Sequence, residues 1–569
     1  MSDPAHALSH LEIAGLIRRA ATEPDLEYLF RHALVQDAAY WSLLRADRCR
    51  LHATIGAILE DAYVGRRAEI APLLAHHFAQ AGDRPRAGKY FILAADQALA
   101  AYANHEAAQH YRAALALRPE GGARAPVLAG LGEALARQGH HAPAIATWRE
   151  AISLYTALGN FDTVARLYAR AGRVTWFAGD SLGSLALCRA GLATIPEDLE
   201  TAGRAALLHE TARALVYNGL AAESAPLARQ AFTLAEQLGD PEIQAEALIT
   251  WAVSARQPLA ERIAMMERAV ALAEGAGRLS TAVRAHNNLG VFLEDRRAAR
   301  EHQRRGAALA RRAGLTDQEF GCRTNACHIS LQLGDFAAVE ADLPPLRAIL
   351  DPANKKRVQQ VWFVEGVLWH DQGAWAAAEE RLRAAQALAV EIGNLRVVAD
   401  TNMELADLLI EQGAWAVAAP LVEETIALAG QVGYDPVEPY GLLILIHAHE
   451  GRLADAQRLL AEIRALAAAD PHRDEKLAAA VAALAVAQAH WDAAWAAFAV
   501  QAAAEARQEA RWSHARTLTN WAAAHLARGA PEDHAAARAL LHEARALYES
   551  WPVPPYVARV DALLAQVAR

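Results

Sequence analysis

Gln372-Gly373-Ala374-Trp375-Ala376 returns forty residues later as Gln412-Gly413-Ala414-Trp415-Ala416, each time between two amphipathic segments. A glycine stops one helix by taking a positive φ that other residues avoid, and a second helix starts two or three residues on. The same turn recurs at Gly139, Gly179, Gly219, Gly334, Gly451 and Gly529. Neighbouring turns lie 38 to 40 residues apart, except for gaps of 115 (Gly219 to Gly334) and 78 (Gly451 to Gly529). Those gaps are close to three and two periods. The missing turns fall at Gln257-Pro258, Arg296-Arg297 and His490-Trp491, so the array reads as unbroken.

Self-similarity at this period marks a repeat architecture. Each unit is a helical hairpin, helix A then helix B, which cannot bury its apolar face alone but does so when stacked on its neighbours. Ala157-Leu158-Gly159-Asn160, Gln237-Leu238-Gly239-Asp240 and Glu391-Ile392-Gly393-Asn394 close the B helices. Ala144, Ala225 and Ala378 sit where helices must approach closely, and Asp180, Asp335 and Asp455 stand in turns where a short acceptor can cap helix B. Prolines at 119, 196, 241, 352 and 471 punctuate helix starts and ends. A period of 39 to 40 exceeds the roughly 34 of a standard tetratricopeptide repeat. The fold class expected is all-α: a tetratricopeptide-like helical-hairpin solenoid, a superhelix of about twelve hairpins from Arg84 to Ser550.

Composition agrees. The 569 residues are 54% hydrophobic, with much alanine, and 21% charged, a balance that suits a folded repeat array and excludes a disordered chain. The net charge of −10 is spread out and basic residues never cluster beyond Lys355-Lys356-Arg357, so nucleic acid is not an expected partner. The longest apolar stretch, Leu477–Ala489, is too short to cross a bilayer. Residues Met1–Arg19 have no signal-peptide pattern. Four cysteines form no disulfide framework. No membrane contact and a cytoplasmic location are expected.

Residues 1–67 break the rhythm. Leu8–Ala20 reads as a helix, Tyr28–Phe30 as a short strand or turn, and Phe30–Leu44 and Arg48–Tyr63 as two further helices. The string Tyr28-Leu29-Phe30-Arg31-His32-Ala33-Leu34-Val35-Gln36-Asp37-Ala38-Ala39-Tyr40, with Leu43-Leu44, Arg48 and Leu51-His52 after it, resembles the end of the NTPase region in large bacterial signalling proteins. Leu74-Ala75-His76-His77-Phe78 resembles the first repeat helix of the same proteins. In that family a STAND-type AAA-like ATPase, often fused to a class III adenylate or guanylate cyclase or a LuxR-type regulator, runs through a winged-helix segment into helical repeats. The resemblance spans Leu8–Leu117 and implies a winged-helix-like module (1–67), a repeat array (68–550) and a C-terminal capping helix (551–569). It departs from the pattern in having no NTPase, cyclase or DNA-binding domain. The resemblance implies interdomain contact at Arg31, His32 and Gln36 with an NTPase domain supplied by another chain; the alternative is that Arg31 and His32 pack or cap locally.

Chemistry is sparse. Gly82 to Tyr90 fails the phosphate-loop spacing, so no nucleotide or other cofactor is expected. His105 and His110 stand five apart, off a common helix face, and no metal is expected. Cys322 and Cys327-His328 have four residues between the cysteines, where haem attachment needs two; the cysteines read as small apolar fillers. Gly179-Asp180-Ser181-Leu182-Gly183 fits the nucleophile-elbow pattern, which works only between a strand and a helix. Trp251, Trp362, Trp369, Trp512 and Trp521 fall on A helices, and Trp362, Glu365 and Trp369 share one face by spacing. That stripe is the candidate groove contact, against the alternative that tryptophans fill gaps between alanines.

The function expected is a non-catalytic module that binds a protein or peptide partner, or a small regulatory ligand, in bacterial signal transduction or transcriptional regulation. The alternative is a C-terminal regulatory fragment of a nucleotide-dependent regulator. A hydrolase rests only on the Ser181 pattern. Oligomeric state is not legible.

Overall fold

The computed structural model describes residues 4–21, 27–117, 121–254, 257–468 and 472–567. Pro119 and Pro471 lie outside them. The chain divides into two compact units, 1–255 and 256–569.

The first unit opens with α1 (Pro4–Ile13), an antiparallel pair β1 (Ile17–Ala21) and β2 (Glu27–Phe30), then α2 (Ala33–Ser42), α3 (Arg45–Ala62) and α4 (Ala71–Ala81). The helix expected over Leu8–Ala20 therefore ends at Ile13. Gly15 turns the chain with φ +70°, and Ile17 pairs with Phe30 and Arg19 with Tyr28. Ile17 is buried while Arg18 and Arg19 are exposed. Four hairpins follow: α5 (Arg84–Ala100) with α6 (Asn104–Ala116), α7 (Arg124–Arg137) with α8 (His141–Ala157), α9 (Phe161–Phe177) with α10 (Ser181–Thr194), and α11 (Ala202–Tyr217) with α12 (Ala221–Gln237). Helix α13 (Pro241–Ser254) packs on α12 and ends the unit.

The second unit starts with α14 (Leu259–Gly275) against α15 (Leu279–Phe292), which pairs with α16 (Arg296–Arg312). Next come α17 (Thr316–Gln332) with α18 (Phe336–Ala348), α19 (Lys355–Asp371) with α20 (Trp375–Glu391), α21 (Leu395–Glu411) with α22 (Trp415–Val432), and α23 (Val437–His449) with α24 (Leu453–Leu466). A single turn, α25 (Arg473–Lys476), leads into α26 (Ala478–Ala487), paired with α27 (Trp491–Arg507); α28 (Arg511–Arg528), α29 (Asp533–Tyr548) and α30 (Pro554–Val567) complete the unit. Among the described residues each unit is thus a stack of helical hairpins, four in the first and seven in the second. The pair read from the sequence as one further hairpin, α13 and α14, falls on either side of the division.

The turn chemistry follows the period. Gly373 and Gly413 hold φ of +80° and +78°, and where His490-Trp491 replaces a glycine turn, Ala489 takes the positive φ of +57°. Asp180 accepts from Gly183 N–H at 2.7 Å and Asp335 from Ala338 N–H at 3.2 Å, capping α10 and α18. Asp455 does not cap: it lies inside the first turn of α24, ion-paired to Arg452 and Arg458. Alanines carry the tight contacts, with Ala378, Ala385 and Ala389 of α20 all fully buried.

The second unit closes on itself. One core joins Phe320, Phe336, Leu368 and Leu405 of α17–α21 to Trp512, Tyr548, Tyr556 and Val560 of α28–α30. The Trp551 indole N–H donates to Gly334 O at 2.5 Å across 217 residues, and the Tyr556 hydroxyl donates to His370 O at 3.4 Å. The segment expected as a terminal cap, with residues 568 and 569 outside the described set, therefore packs back on the middle of its own unit.

Candidate functional site

The helices α19, α21 and α23 and the turn at α25 meet around a cavity. On α21, Asp400, Met403, Glu404 and Asp407 recur at three- and four-residue spacing, which places them on one face. Glu438, Gly441, Leu442 and Leu445 do the same on α23. Together with Phe363 of α19, Tyr434 after α22 and Lys476 of α25, they line a cavity of about 360 Å³. That lies within the range of small-ligand sites. A larger cavity of about 720 Å³ adjoins it, sharing Lys476 and Ala479 and adding Glu294, Arg296, Glu475 and Glu505.

Four carboxylates face the smaller cavity against one lysine. Two are matched from outside it. Arg516 of α28 holds Asp407 in a two-pronged pair at 2.8 and 2.9 Å and reaches Glu411 at 3.0 Å, where Arg559 of α30 also binds at 3.0 Å. Arg396 pairs with Asp400 at 3.3 Å. Lys476 is held by Asp435 at 2.6 Å. Glu404 pairs with His370 Nδ1, 4.0 Å away, and Glu438, without a close ion pair among the described residues, feels the charge of Lys476.

The surroundings tune these groups in different directions. Burial pushes the Asp407 carboxyl up, but the charge and hydrogen bonds of Arg516, with His370, overcome it and bring Asp407 down to about 2. Burial raises half-buried Asp400 despite Arg396. Burial lowers His370, yet its polar contact with Glu404 and the charges of Asp407 and Asp371 outweigh it and lift the imidazole above its ordinary value. Asp371 is pushed up to about 7, first by burial and then by Glu404 and Asp407, against the opposing charges of His370 and Arg516.

Two buried polar side chains on α19 complete the picture. Gln359 is 0% exposed and neither amide atom has a partner among the described residues; His370, also buried, meets Glu404 with Nδ1 at 4.0 Å. They stand four residues before and seven after Phe363, one turn and two turns along the same helix face. Unsatisfied buried polar atoms are uncommon in native folds and ask for an explanation.

The stripe of Trp362, Glu365 and Trp369 does share a face, and that face is occupied from within the chain. Arg381 of α20 lies over both tryptophan rings, 5.7 and 5.1 Å from their centroids, and pairs with Glu365 at 3.2 Å; Arg347 of α18 pairs with Glu365 at 2.5 Å. Both arginines come from B helices, so the stripe looks into the layer between A and B. Trp512 is likewise in the core, edge-on to Phe336, Tyr548 and Tyr556. The site's own signal was the run of carboxylates on α21, Asp400-x-x-x-Glu404-x-x-Asp407. It is legible as a one-sided acidic face, but a search led by aromatic residues passes it by.

In the first unit, Arg31, His32 and Gln36 are exposed around the start of α2, with no side-chain hydrogen bond or ion pair to another described residue. His32 occupies the N-cap position without a side-chain cap bond. No residue of α2 is buried, and Leu34, Trp41 and Leu44 are 82%, 67% and 74% exposed. Ser181 opens α10, in a turn between two helices whose Asp180 carboxylate is spent as the cap. His105 bonds Gln109 and His110 lies 3.7 Å from Glu106, each within α6. Cys188, Cys322 and Cys327 are buried free thiols, pushed up to about 12, chiefly by burial. Among the described residues no three His, Cys, Asp or Glu side chains are arranged to hold a metal ion, and no helix is long and apolar enough to cross a membrane.

No family model and no curated protein matches the sequence. Among solved structures, the apo form of RapI is similar with a TM-score of 0.40 and 12% identity over 48% of this chain and 99% of that one. The Cut9–Hcn1 hetero-tetramer of the APC/C gives 0.39 and 13%, over 85% and 96%. A Rap protein complexed with competence and sporulation factor gives 0.39 and 13%, over 66% and 98%. At this level of likeness nothing about partners or activity passes from those proteins to this chain.

Proposed function

We propose that this chain is a non-catalytic binding module that takes a protein or peptide partner on the concave face of its second unit, in signal transduction or transcriptional regulation. The observation that carries the reading is the cavity walled by the stripes of α21 and α23, with four carboxylates and one lysine in its lining. A repeat stack offers a long inner surface, and such surfaces bind extended segments through a few anchoring side chains. Residues 1–67 serve as a winged-helix-like module, 68–550 as the array and 551–569 as the segment that seals it. The direct test is selection from a peptide library by the full chain. Selected peptides should lose affinity in Phe363→Ala and Glu404→Gln; peptides indifferent to both, or none selected, would sink the reading.

A second reading is favoured by α2, which buries nothing and carries Arg31, His32 and Gln36 beside exposed Leu34 and Trp41. On it, the chain is the regulatory portion of a nucleotide-dependent regulator, and this face docks an NTPase domain supplied by another chain. Nucleotide alone should then give no thermal shift in this chain, and Leu34→Asp with Trp41→Ala should abolish capture of the NTPase while leaving peptide binding intact.

A further inference from the structure

We infer that the cavity between α21 and α23 is built for a cation on an apolar stem, the side chain of an arginine or lysine in a bound peptide; this rests on the peptide-binding reading. Charge is the first argument. Asp400 and Asp407 have arginine partners, whereas Glu404 meets only the His370 imidazole at 4.0 Å and Glu438, with no close ion pair among the described residues, feels only the charge of Lys476, which Asp435 already holds. An entering cation supplies the charge this face lacks, and a charge-assisted hydrogen bond is about twice as strong as a neutral one.

The second argument is the wall. Phe363 and Tyr434 present rings, and Met403, Leu442 and Leu445 present apolar surface, in the same cavity. Long basic side chains bury their methylene stems on apolar surface while the head meets carboxylate or ring. Tyr434 already receives the Arg396 guanidinium 4.6 Å from its centroid, so an internal cation–π pair stands at the rim of the site. A cavity of about 360 Å³ suits one or two side chains and not a folded domain.

Beside that wall, Gln359 of α19 is 0% exposed one turn before Phe363, and neither of its amide atoms has a hydrogen-bond partner among the described residues.

The experiment uses the full chain and four probes in fluorescence and calorimetric titrations: a nine-residue leucine-flanked peptide with a central arginine, the same peptide with citrulline, with glutamate, and free agmatine. Citrulline keeps the shape of arginine and removes the charge. The arginine peptide should bind at least about tenfold more tightly than the citrulline peptide, and Glu404→Gln with Glu438→Gln should erase the difference while circular dichroism and melting stay unchanged. Equal binding of arginine and citrulline peptides, both weakened by Phe363→Ala, overturns the cation preference and leaves the peptide reading standing. Binding of agmatine with exclusion of every peptide keeps the cation preference and overturns the peptide as its source. Absence of binding by all four overturns both.

Discussion

Gly334 shows how one residue is fixed by a contact the local sequence does not contain. Its φ of +67° is the ordinary requirement of a repeat turn, shared with Gly413 at +78°. A Cβ at Gly413 would meet open space, whereas one at Gly334 would come within 2.8 Å of the Trp551 ring. Gly413→Ala should therefore cost only the left-handed strain, about 1–2 kcal/mol. Gly334→Ala should cost clearly more, because the ring must move and its bond to Gly334 O is disturbed. Urea denaturation of the two variants decides it, and equal losses would argue against a tight Trp551 contact. Asp371 makes a second residue-scale prediction. Its carboxyl is pushed up to about 7 in the fold, first by burial and then by Glu404 and Asp407, against His370 and Arg516. Between about pH 4, where an unfolded aspartate ionises, and about pH 7, the folded chain holds a proton the unfolded chain has released. Asp371 therefore favours the fold at low pH, and that contribution is lost as pH rises through this window. Asp371→Asn should raise the melting temperature at pH 8 relative to wild type by more than at pH 5. The opposite ordering would mean that Asp371 is ionised and matched in the fold.

Among the elements, the helices and most of their boundaries were legible because each is set by near neighbours: glycine for the stop, aspartate or asparagine for some starts, alanine for close approach. Where that local code failed, a longer contact had taken over. The stretch Leu8–Ala20 reads as one helix, yet the chain turns at Gly15 and Ile17–Ala21 pairs with Glu27–Phe30 instead. Trp362, Glu365 and Trp369 share one face of α19 by their spacing, but spacing does not say which way a face looks. Arg347 and Arg381, 18 residues before and 16 after Glu365, decide that it looks inward. Glu365 is 4% exposed, so removing its charge strands two guanidinium partners at their buried ends. Glu365→Gln should destabilise the second unit by about 1–3 kcal/mol, the cost of unmaking a charged, largely buried hydrogen bond. Binding of the arginine peptide to the surviving folded protein should be unchanged. A variant of normal stability with weakened binding would return the stripe to the ligand.

The whole second unit departs from the simplest expectation for a repeat stack, in which each unit touches only its neighbours and stability is a sum of adjacent terms. Periodicity encodes that local rule and is silent on closure, which is why the seam between α17–α21 and α28–α30 could not be read from a forty-residue rhythm. The seam also reaches the carboxylates of the candidate site from outside its cavity. Arg516 of α28 neutralises Asp407, Arg559 of α30 engages Glu411, and Tyr556 anchors the backbone of His370, so the end of the chain sets the charge of a cavity formed more than a hundred residues earlier. Closure and binding are then coupled, because a loosened seam frees Asp407 and displaces α19. Trp551→Ala removes a large aromatic from the seam, a class of change that costs about 3–5 kcal/mol when the side chain is buried and less here, where it is half-buried. Hydrogen exchange should speed up in α17–α19 and α28–α30 together and stay at wild-type rates in α5–α12, which belong to the other unit. The arginine peptide should bind this variant more weakly even though Trp551 does not line the cavity. Faster exchange confined to α30, with peptide affinity intact, would show instead that the last helix is a passive cap and that the cavity holds its shape without it.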